Sequence, residues 1–155
     1  MDDGQSLGVG TIEQRCAACG AVAVVSVAQS VVGDRVAWSV SVRCGQCGDA
    51  EEQCGWEEMP GFWRDRLVDQ EGLTRLRVDR ESIEPMRVRL LSVFRRQGAT
   101  IADAVEAVES LTGVGLFGTP AEMKLLATRL TGAGAFVSLT PGWGERSDRA
   151  GNRSG

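Results

Sequence analysis

The sequence predicts an α+β chain in two parts: a β-rich N-terminal half and a small domain that runs β-α-α-β-α-β. Three observations predict it. Two Cys-x-x-Cys-Gly motifs bracket a Val-rich stretch. Within that stretch apolar residues recur at period two, the spacing of a half-buried strand. After Pro60-Gly61 the apolar spacing changes to threes and fours, the mark of helices, with short alternating runs between them.

The first motif is Cys16-Ala17-Ala18-Cys19-Gly20 and the second is Cys44-Gly45-Gln46-Cys47-Gly48. In a Cys-x-x-Cys pair the chain turns back so that both sulfurs face one ion. A glycine after the second cysteine suits that turn, because it takes positive φ without a Cβ clash. Two such pairs at this separation fit the spacing of a Zn²⁺ site. Four thiolates close a tetrahedron around zinc, with sulfur at roughly 2.3 Å, and leave no open position. The expectation is a zinc ribbon in which Cys16, Cys19, Cys44 and Cys47 hold one structural Zn²⁺. Two redox pairs, or two fortuitous ones, are the alternatives. A thioredoxin-like pair belongs in a βαβ pattern, whereas here the first pair opens directly into strands. Cys54 is a fifth cysteine, read as a spare thiol in preference to an alternative ligand.

Composition narrows the function classes. The chain has 155 residues, is 43% hydrophobic, and carries a formal net charge of -4. That size suits one compact domain or two small ones. Histidine and tyrosine are both absent, and Lys124 is the only lysine. The commonest general base and every Ser-His or Cys-His arrangement are therefore missing, and the expectation is a protein that is not an enzyme. There is no long apolar run for a membrane span and no secretory pattern at the start. Free cysteines in metal-type spacing, without an export signal, point to a reducing cytoplasm.

Residues 1–10 are polar and Gly-rich and read as a loose leader. The ribbon covers 11–60. Thr11 to Arg15 is a short strand into the first knuckle. Ala21 to Val32 and Arg35 to Arg43 form a hairpin about Gly33-Asp34, with the knuckles at its open end. Val36, Trp38, Val40 and Val42 share one face of it. Trp38 admits an RNA-stacking role, but a core position with the valines is favoured. Asp49, Glu51, Glu52, Glu57 and Glu58 then make an acidic run. Met1 to Pro60 holds nine acidic and three basic side chains, and the remainder twelve and fourteen. The run is either a solvated face or a surface aimed at a basic partner. An acidic ribbon is a poor reader of nucleic acid.

Residues 61–72 are a connector with a short helix from Phe62 to Val68, in which Phe62, Trp63 and Leu67 pack between the two halves. Leu73 to Arg80 alternates as a strand. Ile83, Met86, Leu90, Val93 and Phe94 are helically spaced, with Pro85 in the first turn, where it is tolerated. Arg89 and Arg96 share the outer face of that helix, with Arg95 beside them. Thr100-Ile101-Ala102-Asp103 resembles a capping box. Ile101, Ala104, Val105, Val108 and Leu111 are its buried stripe. Leu116-Phe117-Gly118 is a short strand. Thr119-Pro120-Ala121-Glu122 starts a last helix with an N-cap Thr and Pro at N1, and Met123, Leu126, Ala127 and Leu130 face inward. Ala135 to Leu139 is the final strand, and 141–155, with Trp143, read as a disordered tail.

Gly98 followed by Ile101-Ala102-Asp103-Ala104-Val105-Glu106-Ala107-Val108-Glu109, and the closing Leu130-Thr131-Gly132-Ala133-Gly134-Ala135-Phe136-Val137, resemble the C-terminal domain of the bacterial ribosomal stalk protein. The resemblance covers residues 73–140. It implies that fold and, for the family, recruitment of translation GTPases through lysines on the first two helices. This chain has Ala102 and Val105 where the second helix carries lysines, and Met86 where the first begins with a basic residue. The family's Gly-rich turn is reduced to Gly98-Ala99-Thr100. A ribbon replaces the family's dimerisation helices and hinge.

Three functions remain. The first is a non-enzymatic adaptor that binds another protein, with immunity or antitoxin proteins as a special case. Its candidate partner-binding residues are Glu51, Glu52, Arg89, Arg95 and Arg96. The second is a ribosome- or translation-factor-associated protein that uses the stalk-like half. The third is a transcription-associated ribbon, which the acidic charge disfavours.

Overall fold

The computed structural model describes residues 6–142, with the side chains of residues 6–9 and Ser82 left aside. Residues 1–5 of the leader, and the tail from Trp143 onward, lie outside the described residues. The chain divides into two compact units, Met1–Gly72 with Thr119–Ala121, and Leu73–Gly118 with Glu122–Gly155. The fold is mixed α and β, with an antiparallel four-stranded sheet first.

The first unit holds β1 (Ser6–Arg15), β2 (Val22–Val32), β3 (Arg35–Cys44), β4 (Ala50–Trp56) and α1 (Gly61–Glu71). The strands lie in the order β1-β2-β3-β4, each antiparallel to its neighbour. β2 and β3 form the expected hairpin, and Gly33 turns it with φ 62°. Two elements differ from expectation. β1 begins at Ser6 instead of Thr11, because β2 is long enough to pair the earlier residues: Val9 meets Ala28 and Gly10 meets Val27. The acidic run is also a strand. Glu51 pairs with Val42 and Glu52 with Ser41. Glutamate is depleted in strands, so propensity hid β4, while the open backbone edge of β3 selected it. Charged residues on such an edge deter strand addition by other chains.

One face of this sheet makes the core. Val25, Val27 and Val40 are buried with Met59 and Leu67, and Ile12, Trp38, Val42 and Trp63 pack around them. Trp38 thus joins the valines, as expected. Its ring lies over Gly55, the residue opposite it on β4. Phe62, expected in packing, is 55% exposed, with Arg66 over its ring at 4.7 Å.

The second unit holds β5 (Thr74–Val78), α2 (Arg80–Arg96), α3 (Ile101–Thr112), β6 (Leu116–Gly118), α4 (Pro120–Gly132) from Glu122 onward and β7 (Val137–Pro141). The element order is the expected one. β5 is central in an antiparallel sheet ordered β6-β5-β7. Leu76, Leu90, Val108, Leu111 and Leu130 are fully buried in its core. Thr100 caps α3 by accepting from the Asp103 N–H at 3.1 Å, as its capping sequence implied. Met123, Leu126, Ala127 and Leu130 are all buried along α4, as expected.

Corrections concern single positions. α2 starts at Arg80, so Pro85 lies past the first turn, inside the helix. There it lacks the N–H that would bond the carbonyl four residues back. Ile101 is 68% exposed. It is the first residue of α3, ahead of the turn in which Ala104, Val108 and Leu111 are buried. β7 begins at Val137, two residues later than expected, although Ala135 is buried before it.

Candidate metal centre

The hairpin delivers both cysteine pairs to one end. Cys16 follows β1, and Cys44 closes β3 opposite Ala23. Each pair then repeats the same backbone turn. Gly20 N–H donates to the Cys16 carbonyl at 2.9 Å, and Gly48 N–H to the Cys44 carbonyl at 3.0 Å. Cys16 N–H donates to the Ala21 carbonyl and Cys44 N–H to the Asp49 carbonyl. Gly20 and Gly48 both sit at φ 77°, which a side chain at either position would resist. The sequence signal of a glycine after each second cysteine therefore corresponds to a real left-handed residue, twice.

The four sulfurs converge. All lie within 4.8 Å of one another. Cys16 Sγ is 3.7 Å from Cys47 Sγ, and Cys19 Sγ is 3.6 Å from Cys44 Sγ. Cys16 and Cys44 are buried, beside Ala23, while Cys19 and Cys47 are exposed. The site is thus anchored on one side in the sheet and open to water on the other.

Backbone N–H groups aim at the sulfurs, and these were not foreseen from the sequence. The N–H groups of Cys47 and Gln46 lower the Cys44 thiol to about 7, helped by the Cys19 and Cys47 thiols. At Cys47 the Asp49 N–H pulls downward, but loss of water and the three neighbouring thiols push harder, up to about 12. Cys19 is pulled down by the Ala21 N–H, yet its balance is upward, chiefly through Cys44 and burial. One thiol is therefore primed to ionise and the next resist, because four thiolates so close repel one another. A divalent cation removes that repulsion.

The other candidate residues do not join this site. Glu51 and Glu52 are neighbours on β4 and exposed, and successive strand residues point to opposite faces. Cys54 pairs with Ser39 on β3, about 17 Å along the strand from Cys44 at 3.3–3.4 Å per residue. Arg89, Arg95 and Arg96 are exposed on α2 in the second unit, and Arg95 donates to the Ala99 carbonyl at 2.9 Å. Among the described residues no helix is long and apolar enough to cross a membrane. Comparison with family models, curated proteins and solved structures returns no match. The four cysteines, positioned to hold a metal ion, are what the chain itself offers.

Proposed function

We propose that Cys16, Cys19, Cys44 and Cys47 hold one structural Zn²⁺, and that the chain is a non-enzymatic, zinc-dependent module that binds another protein. The observation that carries the metal is the sulfur spacing. A tetrahedron with Zn–S near 2.3 Å has edges of about 3.8 Å; two of the four cross-knuckle pairs stand at 3.6 and 3.7 Å, and all four sulfurs lie within 4.8 Å of one another. All-sulfur tetrahedral donors favour zinc or iron–sulfur chemistry over magnesium or calcium. With four protein ligands the ion keeps no position for substrate or water, so its work is to hold the fold.

The adaptor reading rests on charge. Four thiolates on Zn²⁺ leave two negative charges in excess at one end of the sheet. Glu51 and Glu52 add exposed carboxylates at the β4 edge, one to each face of the sheet. Such a surface suits a basic protein partner, as an immunity-type protein would require, and repels phosphate backbones. A reducing cytoplasm is the compartment in which these thiols stay available to metal.

Metal analysis of the purified protein tests the centre: one equivalent of zinc is expected, and thiols paired as disulfides without zinc would end the reading. The adaptor reading is tested by affinity capture with wild type beside Glu51→Lys/Glu52→Lys. A stoichiometric partner lost by the variant supports it. A second reading, a translation-associated protein with a stalk-like domain, is favoured by the β-α-α-β-α-β order and by the exposed Arg89, Arg95 and Arg96. Recovery of ribosomes or a translation GTPase, lost on changing those arginines, would select it.

A further inference from the structure

The first sheet has two faces, and α1 packs on one. Alternation along β2 is strict near the metal end: Ala23, Val25 and Val27 are buried, while Val22, Val24 and Ser26 are exposed. Val22 is 59% exposed and Val24 44%. The outer face is otherwise made of small residues such as Ser26, Ala28, Ser39 and Ser41. Along β2 this face carries Val22, Val24, Ser26, Ala28 and Ser30, and its charges, Glu13, Arg43 and Glu52 among them, stand on the strands to either side.

The flanking charges have a pattern. Glu13 pairs with Val24, and Val24 pairs with Arg43. One row across the face therefore reads acid, valine, base. In the next row Thr11 pairs with Ser26, and Ser26 with Ser41. A two-fold axis lying along β2 would bring a second copy face to face with the first. Val24 would then meet Val24, Ser26 would meet Ser26, and Glu13 of each copy would meet Arg43 of the other. Such self-complementarity is what an isologous interface requires.

We propose that the outer face of this sheet is a dimer interface between two copies of the chain, stacked sheet on sheet with β2 over β2. Three overlapping strands about 4.8 Å apart and about 33 Å long offer at most roughly 950 Å² for the pair, because paired strands twist. Specific interfaces start near 1,200 Å², so the dimer is a weak one that dissociates on dilution. The charge pairs fix its register more than its strength.

The test is sedimentation equilibrium of the zinc-loaded full chain over a concentration series. A reversible monomer–dimer equilibrium is expected. Val24→Glu sets two carboxylates against each other across the axis and weakens dimerisation at least about tenfold. Glu13→Arg weakens it too, and adding Arg43→Glu restores it. Within one chain those residues stand two strands apart, about 9.6 Å, near the screening length at physiological salt. Rescue therefore reads the contact between copies. Circular dichroism checks that each variant stays folded, as these exposed positions permit. A monomer at every concentration, or a dimer indifferent to Val24→Glu, overturns the interface. A dimer broken by Val24→Glu that the double charge change cannot rescue overturns the β2-over-β2 arrangement.

Discussion

A Cβ on Gly55 would stand 2.6 Å from the indole of Trp38. β3 and β4 pair these two residues directly, and the absence of a side chain at Gly55 lets the ring lie flat over the neighbouring strand. Gly55→Ala is accordingly expected to destabilise the first unit by about 1–3 kcal/mol, the usual cost of overpacking. Urea unfolding should show a lower midpoint at unchanged slope. An unchanged midpoint would mean that the ring moves aside freely.

Gln29 pairs with Trp38 from the other side. Gln29 is 1% exposed, and both its polar atoms, like Trp38 Nε1, lack a hydrogen-bond partner among the described residues. An unpaired buried amide costs about 1–3 kcal/mol. Gln29→Met keeps the length and removes the polar atoms, and should raise stability by about 1 kcal/mol. A loss of stability would show instead that the amide is satisfied in solution.

Zinc affinity should depend on pH with a break near 7. Each thiol that must lose its proton adds one logarithmic unit of affinity per pH unit. Cys47, at about 12, contributes that slope at every accessible pH. Cys44, at about 7, contributes below 7, where it is protonated, and stops above 7, where it is already a thiolate. Affinity therefore falls as pH falls, and the fall steepens by one proton below 7. Competition titrations against a chelator measure it, and a constant slope through 7 would remove Cys44 from that role.

Cys16→Ser, or a strong chelator, should unfold the sheet of the first unit and leave α2, α3 and α4 helical. The cysteine end of the first unit is held by a small cluster of Cys16, Ala23 and Cys44, and small zinc domains gain about 10–16 kcal/mol of apparent free energy from the ion. The second unit has its own core. Far-ultraviolet circular dichroism before and after metal removal separates the two, and collapse of both signals together would show one cooperative core.

Arg75 Nε donates to the Val114 carbonyl at 2.5 Å and its Nη2 to the Gly113 carbonyl at 3.3 Å, while Arg77 reaches the Thr112 carbonyl at 3.5 Å. These carbonyls are at and just past the end of α3, where helix acceptors lack partners and cations are favoured. Arg75→Met should cost about 1 kcal/mol in thermal unfolding, an effect Arg77→Met would show only weakly. Equal effects would assign the role to charge alone.

What the sequence determined was whatever its own neighbourhood encodes. The clustering of Cys16, Cys19, Cys44 and Cys47 was legible because a Cys-x-x-Cys-Gly turn is a local event, which occurs twice with the same φ. The β2–β3 hairpin, the Thr100 cap and the β-α-α-β-α-β order were legible for the same reason: period, cap and turn are set within a few residues. The tertiary structure alone decided the rest. β4 is a strand although it reads Ala-Glu-Glu-Gln-Cys-Gly-Trp, because backbone pairing to β3 is indifferent to side-chain propensity. Ile101 is exposed and Trp38 lies over Gly55 because burial depends on which element arrives opposite. The division of the cysteines into two buried and two exposed, and the N–H groups that separate Cys44 from Cys47, follow from where the sheet ends, a relation between strands that no single stretch of sequence contains.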